Sequence, residues 1–383
     1  MKKKYKISFF NFSTVSGGSS TISNTIAKVF GQEYSISFYS VFGNTEKKFW
    51  FNRILHRIDN LISLILFSTY KNVSVNCLPT CNAIFVNKID TDILHFHWIH
   101  FNFFSFWDIC KIKKPIVWTL HDAWIVNRFG HLEDKTSKLF SSFVSHLHNM
   151  KIDRLRKANI EFVCPSKWLY EQVKAAGVYP QEKIHQIYNP IDIDFWINDK
   201  YLTDDSFPND ENEVSILFVS NEKIENINKG FPMLVEISKQ AKTKNISIVF
   251  EVVCQISLPL NLCNHSFNFH GRKNKTELRD LYRKVDMLIL PSLIENLPTV
   301  LIEALSTSCP IIAYNTGGVS EIVEHEVNGI LVENYEACEF LKGICKVKNN
   351  LESFKSKTRP SVCNKFDYSS AYKSYSEIYK SVI

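Results

Sequence analysis

Residues 286–318 read DMLILPSLIENLPTVLIEALSTSCPIIAYNTGG, and this stretch decides the fold class of the chain. Two short apolar runs, 286–291 and 310–314, each predict a parallel strand that is buried on both faces. Between them Pro298 marks the first turn of a predicted helix, because proline is well tolerated there. A polar loop joins the first strand to this helix, and a Gly-Gly pair follows the second strand. The stretch therefore predicts a βαβ unit whose polar loop lies at the ligand-binding edge of an open α/β sheet.

Two carboxylates stand out within this unit. Glu295 lies in the loop and Glu303 in the predicted helix, where the rise per residue places it about 7.5 Å beyond Pro298. One acid is therefore at the start of the helix and the other more than a turn inside it. Such a pair could bind two parts of one long polar ligand, and the helix N-terminus between them could bind an anion. The alternative interpretation is two solvated surface acids.

The same stretch resembles the nucleotide-sugar-binding motif of the retaining glycosyltransferases of family 4 (group 1), which have the GT-B fold. The shared features are Pro-Ser before the acids, both acids, Glu-Ala-Leu at 303–305 and Gly-Gly at 317–318. In that family the first Glu contacts hydroxyls of the donor sugar, and the second holds the nucleotide ribose. The resemblance implies these roles for Glu295 and Glu303. It also implies that the helix start, formed by Asn296, Leu297 and Pro298, contacts the donor.

Composition sets the limits of the other interpretations. At 383 residues the chain is long for one domain, so two domains are expected. A net charge of +6 is too modest to indicate nucleic acid by itself. The ten cysteines form no CxxC pair and have no histidine partners at zinc spacing, which favours a reduced, cytoplasmic protein. No segment reaches the ~18 to 20 apolar residues that a membrane span requires.

A glycine-rich turn follows the first predicted strand. Residues 5–10 predict this strand, and Gly17 and Gly18 precede a predicted helix. The turn would expose backbone N–H groups to an anion. A Gly-Gly pair at such a position is also common in ordinary turns. The resemblance implies that the turn faces the donor diphosphate.

His121 ends a second predicted strand of the first half, residues 115–122. It begins the sequence His-Asp-x-Trp, which is typical of the resembled family at this place, and the resemblance implies that His121 approaches the donor sugar and the reacting centre. Three further histidines, His95, His97 and His100, raise the hypothesis of a metal site. No carboxylate or cysteine completes that set, so they are interpreted as core or cleft residues and no metal is predicted.

Three basic residues of the second half are candidates for contact with the donor. Lys229 immediately precedes Gly230 and a predicted helix, a good position for binding a diphosphate. Relatives have this Lys-Gly pair and commonly an Arg some residues earlier, where this chain has Lys223 instead. Arg272 follows a predicted strand whose loop holds the nucleobase in relatives. For Lys229 and Arg272 the alternative is a role as solvated surface residues.

Residues 49–70 predict an amphipathic helix. Apolar residues recur there at helical spacing, and five basic residues accompany them, Lys47, Lys48, Arg53, His56 and Arg57. One interpretation is a helix packed on the sheet. The other is a helix that lies on a membrane surface beside a lipid-linked acceptor.

The resemblance covers nearly the whole chain and implies an α/β protein with two Rossmann-like domains facing across a cleft. Residues 1–195 would form the acceptor domain and residues 196–365 the nucleotide-sugar domain, with a C-terminal helix in residues 366–383 that returns to the first domain. The implied activity is the retaining transfer of a sugar from a nucleoside diphosphate to an acceptor hydroxyl, in surface polysaccharide or lipopolysaccharide assembly. Catalysis would involve His121, Glu295 and Lys229, and would need neither a metal nor a cofactor besides the nucleotide sugar.

Three other functions fit parts of the sequence. A nucleotide-sugar epimerase shares the fold. A non-catalytic sugar- or nucleotide-binding module differs in class, but the complete set of Glu295, Glu303, Lys229 and His121 argues against it. A nicotinamide-dependent oxidoreductase also uses such domains, but neither half contains GxGxxG with a later acidic residue.

Overall fold

The computed structural model describes residues 4–14, 17–42, 47–67, 73–131, 138–197, 213–255 and 266–383. By internal contacts the chain divides into two compact units. The first comprises Met1–Pro190 with Tyr368–Ile383, and the second comprises Ile191–Asp367. Each unit contains one parallel sheet with helices, so the predicted α/β class is confirmed.

The described residues of the first unit form a seven-stranded sheet in the order β3-β2-β1-β4-β5-β6-β7. Every neighbouring pair is parallel. Two central strands, Ile93–Phe96 and Ile116–Thr119, are buried along their length because a parallel sheet is covered on both faces. The strands are β1 Lys6–Phe10, β2 Ser35–Ser40, β3 Lys47–Lys48, β4 Ile93–Phe96, β5 Ile116–Thr119, β6 Ile160–Cys164 and β7 Ile184–Gln186.

In the described part of the first unit, six helices precede its boundary with the second: α1 Gly18–Phe30, α2 Trp50–Phe67, α3 Asn82–Lys88, α4 Phe106–Ile109, α5 Ser141–Arg156 and α6 Lys167–Ala175. Among the described residues, no helix has the length and apolar character that a membrane span requires.

The described residues of the second unit form a six-stranded sheet in the order β10-β9-β8-β11-β12-β13, again with parallel neighbours. The strands are β8 Glu213–Lys223, β9 Ser247–Gln255, β10 Phe267–Phe269, β11 Met287–Leu290, β12 Ile311–Tyr314 and β13 Gly329–Val332. The helices are α7 Ile193–Ile197, α8 Phe231–Thr243, α9 Lys275–Lys284, α10 Thr299–Ser306, α11 Ala337–Asn349 and α12 Leu351–Val362.

The predicted βαβ unit of residues 286–318 is present as β11, α10 and β12. Pro298 is the N-cap residue of α10 and not part of its first turn, so the helix begins one residue later than expected. Helix ends commonly differ by this much, because the residue before the first turn is only half inside the helix.

The last helix, α13 Tyr368–Val382, packs on the first unit. The hydroxyl groups of Tyr379 and Tyr375 lie 2.7 Å from His95 Nδ1 and 2.8 Å from Thr119 Oγ1. Both hydroxyls are buried, so these hydrogen bonds satisfy polar groups that would otherwise be costly in the core. The expected return of the C-terminal helix to the first domain is confirmed.

Candidate active site

The strand order of each sheet determines where its loops can form a site. In the second sheet the order reverses between β8 and β11, and in the first sheet it reverses between β1 and β4. At such a switch point the connections that follow two neighbouring strands run to opposite sides of the sheet. A crevice therefore forms between their loops at the carboxyl edge. The loops after β8 and β11 carry Lys229 and Glu295.

Lys229 and Glu295 form an ion pair at this edge. Lys229 Nζ lies 2.8 Å from Glu295 Oε1, and Glu222 Oε1 is 3.9 Å away. The side chains of Lys229 and Glu295 are 26% and 13% exposed. Burial by itself would lower the pKa of Lys229, but the carboxylates of Glu295 and Glu222 raise it above its ordinary value. The pair therefore presents a fixed positive charge beside a carboxylate.

Two glycines allow the loops to approach so closely. Gly230 has φ +78°, and a Cβ there would lie 2.2 Å from the carbonyl oxygen of Pro291. Gly317 has φ +56°, and its Cβ would lie 1.6 Å from the carbonyl oxygen of Glu295. Backbone hydrogen bonds join the loops as well, since Leu293 N donates to Asn228 O over 2.9 Å. The position of Glu295 is thus fixed by main-chain contacts on both sides of its loop.

Glu303 is buried on α10 and does not join the Lys229–Glu295 pair among the described contacts. The hydroxyl of Tyr282 donates a hydrogen bond of 3.2 Å to Glu303 Oε2. Burial raises the pKa of Glu303 to about 7, against opposing effects of Lys275 and of hydrogen bonds from Tyr282 and Thr299. At neutral pH its carboxyl group therefore changes readily between its two forms, so it can accept or donate a hydrogen bond.

The start of α10 is a buried segment. Asn296 and Leu297 are buried, and Pro298 precedes the first helical residue, Thr299. The first N–H groups of an eight-residue helix point out of this end, and they favour negative charge.

Lys223 and Arg272 are both exposed residues of the second unit. Lys223 is an exposed residue at the end of β8. Arg272 is exposed after β10, and its Nη2 donates to Gln255 Oε1 over 2.8 Å. No described hydrogen bond or ion pair connects either side chain to Lys229 or Glu295.

In the first unit, the turn at Gly17 and Gly18 leads from β1 into α1 as expected. Gly17 is the N-cap residue, with φ +104°, and a Cβ at either glycine would meet no atom of the described residues within 4 Å. Among the described residues, these two glycines therefore leave open space at the start of the 13-residue helix α1.

His121 follows β5 and is partly buried. Its Nε2 lies 3.0 Å from Nδ1 of His97, and the planes of the two rings are inclined by 25° with centroids 5.3 Å apart. Burial lowers the pKa of His121 to about 4, although the neighbouring Asp122 opposes this shift. His121 is therefore neutral at physiological pH.

The next residue, Asp122, is the centre of a buried hydrogen-bond network. Its Oδ2 accepts from His131 Nδ1 over 2.7 Å and from His100 Nε2 over 3.2 Å, and Oδ1 accepts from the backbone N–H of Trp124. Burial would raise the pKa of Asp122, but His100 and His131 lower it well below its usual range. Ser74 Oγ lies 3.0 Å from the second nitrogen of His131.

The prediction that His100 lacks a carboxylate partner is wrong, because the fold brings Asp122 to it. The ligand atoms of His100, Asp122 and His131 lie within 4.8 Å of one another, a spacing that would also suit a metal ion. The N–O separations of 2.7 and 3.2 Å are those of direct hydrogen bonds, and these bonds account for the arrangement. The network fixes the loop that begins at His121.

Lys151 is a structural contributor that the sequence analysis did not single out. It is fully buried on α5, and its Nζ donates to the carbonyl oxygens of Trp124, Asn127 and Arg128 over 2.6 to 2.9 Å. It shares the buried face of α5 with Val144 and two other apolar residues. Lys151 stands at a position where the helical pattern predicts a buried apolar residue, and this signal could have identified it from the sequence.

Two family models match this chain, one in each half. The model described as "Glycosyl transferases group 1" matches residues 257–359, and "Glycosyltransferase Family 4" matches residues 45–195. Together they cover about two thirds of the sequence. The chain belongs to the family 4 (group 1) glycosyltransferases.

Similar proteins agree with this family. An uncharacterized glycosyltransferase of Methanocaldococcus jannaschii is 28% identical over 257 residues, which are 63% of this chain and 62% of that protein, less than two thirds of its length. An Escherichia coli UDP-Gal:alpha-D-GlcNAc-diphosphoundecaprenol alpha-1,3-galactosyltransferase is 29% identical over 76 residues, 20% of each chain. The crystal structure of Anabaena HepE with UDP-glucose matches 98% of this chain and 99% of its own, with a TM-score of 0.65 and 17% identity. The fold is GT-B.

The close contact at Gly317 yields a test of how the Glu295 loop is held. Gly317→Ala should lower the free energy of unfolding by about 1 to 3 kcal/mol more than Gly271→Ala does, because the new methyl group meets a backbone carbonyl. Gly271 lies in the same unit with φ +66° and open space around its Cβ, so it reports the cost of the left-handed backbone alone. Urea unfolding of both variants provides the comparison, and equal losses would contradict the steric account.

Proposed function

We propose that this protein is a retaining glycosyltransferase that moves a sugar from a nucleoside diphosphate to an acceptor hydroxyl, in the assembly of a surface polysaccharide or lipopolysaccharide. The observation that carries the proposal is the Lys229–Glu295 pair, held 2.8 Å apart at the switch point of the second sheet. The proposal also draws on the family and on the UDP-glucose bound to the Anabaena structure.

The proposed chemistry uses the charges of this edge. As the bond between the sugar carbon and the diphosphate oxygen breaks, negative charge grows on the departing diphosphate. Lys229 has three N–H donors and uses one on Glu295, so its ammonium group can also bind a phosphate oxygen. The N–H groups at the start of α10 favour the same charge. Glu295 is left to accept hydrogen bonds from sugar hydroxyls, and Glu303 from the ribose.

Retention and independence from metal are part of the proposal. The acceptor oxygen forms its bond to the sugar carbon on the face from which the diphosphate leaves, and the departing phosphate takes the acceptor's proton. The positive charge comes from Lys229 and from the backbone N–H groups at the start of α10, in place of a divalent cation. The family resemblance also assigns the N–H groups of the Gly17–Gly18 turn to the diphosphate. His121 is assigned to the sugar, as the family resemblance implies.

Removing either member of the central pair should abolish transfer. We expect Lys229→Ala and Glu295→Ala each to lower the rate by about 100-fold or more, since each removes a charge from the reacting groups. UDP-, GDP- and ADP-sugars would first be screened for thermal stabilisation of the protein. Donor loss in the presence of acceptor would then be followed by mass spectrometry.

A surface ion pair of the same unit is the matched control. Lys239 and Glu236 lie 3.5 Å apart on α8 and are both more than half exposed, so Lys239→Ala and Glu236→Ala should transfer at the wild-type rate. Wild-type rates in Lys229→Ala and Glu295→Ala would refute the assignment. A donor whose stereochemistry changes without acceptor would indicate an epimerase, and donor binding without any turnover would indicate a binding protein.

For the acceptor we propose a lipid-linked saccharide, reached from the cytoplasmic face of a membrane through α2. The exposed side of α2, called here its outer face, consists of six apolar residues that are 39 to 57% exposed, Phe51, Ile54, Ile58, Leu61, Leu64 and Ile65. Arg53 and Arg57 are exposed beside them, while Asp59, the acid of this helix, is fully buried on the opposite side. Residues 68–70 of the predicted helix lie outside the described residues.

This distribution suits an anionic lipid surface. An interfacial helix inserts its apolar side among the lipids, and arginines near the surface are attracted by anionic headgroups. The named acceptor of the Escherichia coli relative, a diphosphoundecaprenol saccharide, is of the same lipid-linked class.

Vesicle binding tests the outer face of α2. The protein should co-sediment with vesicles of phosphatidylcholine and phosphatidylglycerol, and Leu61→Glu with Ile65→Glu should weaken binding about tenfold or more, because the charges oppose insertion. Ile84→Glu with Leu139→Glu changes two exposed apolar residues outside α2 and should bind like the wild type. Equal binding of both double variants to the vesicles would overturn the proposal. It would also be overturned if the wild type were a dimer in solution and only the α2 variant were monomeric.

A further inference from the structure

The contact between His97 and His121 has a consequence for the proton of His121. The nitrogens that meet, His97 Nδ1 and His121 Nε2, are 3.0 Å apart. Burial lowers the pKa of both imidazoles, to about 4 for His121 and well below the ordinary value for His97. Two neutral rings at this distance share one proton in their hydrogen bond, and one ring must donate while the other accepts.

The surroundings of His97 favour one of the two arrangements. His97 is buried between Phe9 and His95, whose ring centroids lie 5.6 and 4.4 Å from its own. Its second nitrogen, Nε2, is buried and has no hydrogen-bond partner among the described residues. If His121 donated, the proton of His97 would lie on this Nε2 as an N–H group without an acceptor. Buried N–H groups without partners are rarer in proteins than buried acceptors without partners.

We propose that His97 is a positioning residue that donates from Nδ1 to His121 and thereby holds His121 with its own proton on Nδ1. His121 then presents an N–H donor to its ligand. Such a donor suits an oxygen that offers a lone pair, such as a sugar hydroxyl or a phosphate oxygen. This choice of ligand rests on the proposed function, whereas the position of the proton does not.

The tautomer of His121 can be read directly. Two-bond nitrogen–proton correlation spectra of histidine-labelled protein near neutral pH should show Nε2 of His121 unprotonated and Nδ1 protonated, with His121→Asn identifying the signals. In His97→Phe, which keeps a ring between Phe9 and His95, the proton of His121 should shift towards Nε2, the nitrogen that free histidine prefers. His97→Asn places an amide donor near the former Nδ1 and should restore the wild-type pattern.

His185→Phe is the control, because His185 lies on the edge strand β7, two strands away from β5, where it is paired with Glu161, and its loss should leave His121 unchanged. A wild-type His121 that carries its proton on Nε2 would overturn the proposal, as would an unchanged tautomer in His97→Phe. The expected tautomer in a protein that transfers no sugar would leave this inference standing and refute the proposed function alone.

Discussion

The parallel pairing of β8 with β11, and of β11 with β12, is the constraint on which the candidate site depends. It brings three loops to one edge of the second sheet, although Lys229 and Glu295 are 66 residues apart in sequence. The loops can meet only because Gly230 and Gly317 leave room for backbone carbonyls. Since the strand order reverses at β8 and β11, this edge is also where a crevice for a ligand forms.

Two buried charged groups beside the loop of His121 have specific partners. Asp122 accepts from two imidazoles and a backbone N–H, and Lys151 donates to three carbonyl oxygens of the following loop. Burial of an unpaired charge is costly, so these contacts restrict the loop to few conformations. The His-Asp-x-Trp sequence thus positions His121 through its neighbours as much as through its own side chain.

The sequence allowed prediction of local features and of what the family resemblance implies. The βαβ pattern at residues 286–318, the Gly17–Gly18 turn before α1 and the return of α13 to the first unit could all be recognised from periodicity, glycine positions or resemblance. The strand order could not be read from local pattern, and neither could contacts that depend on it. His131 beside Asp122, the buried Lys151 and the pairing of His97 with His121 are such contacts. The raised pKa of Glu303 likewise depends on burial in the folded chain, which outweighs the opposing hydrogen bond from Tyr282.

A crystal structure with the nucleotide sugar selected by the thermal screen tests the central claim most directly. We expect hydrogen bonds from sugar hydroxyls to Glu295 and from the ribose to Glu303, with Lys229 Nζ against the diphosphate at the start of α10. A nucleotide sugar bound elsewhere, with both carboxylates turned away from it, would refute these roles.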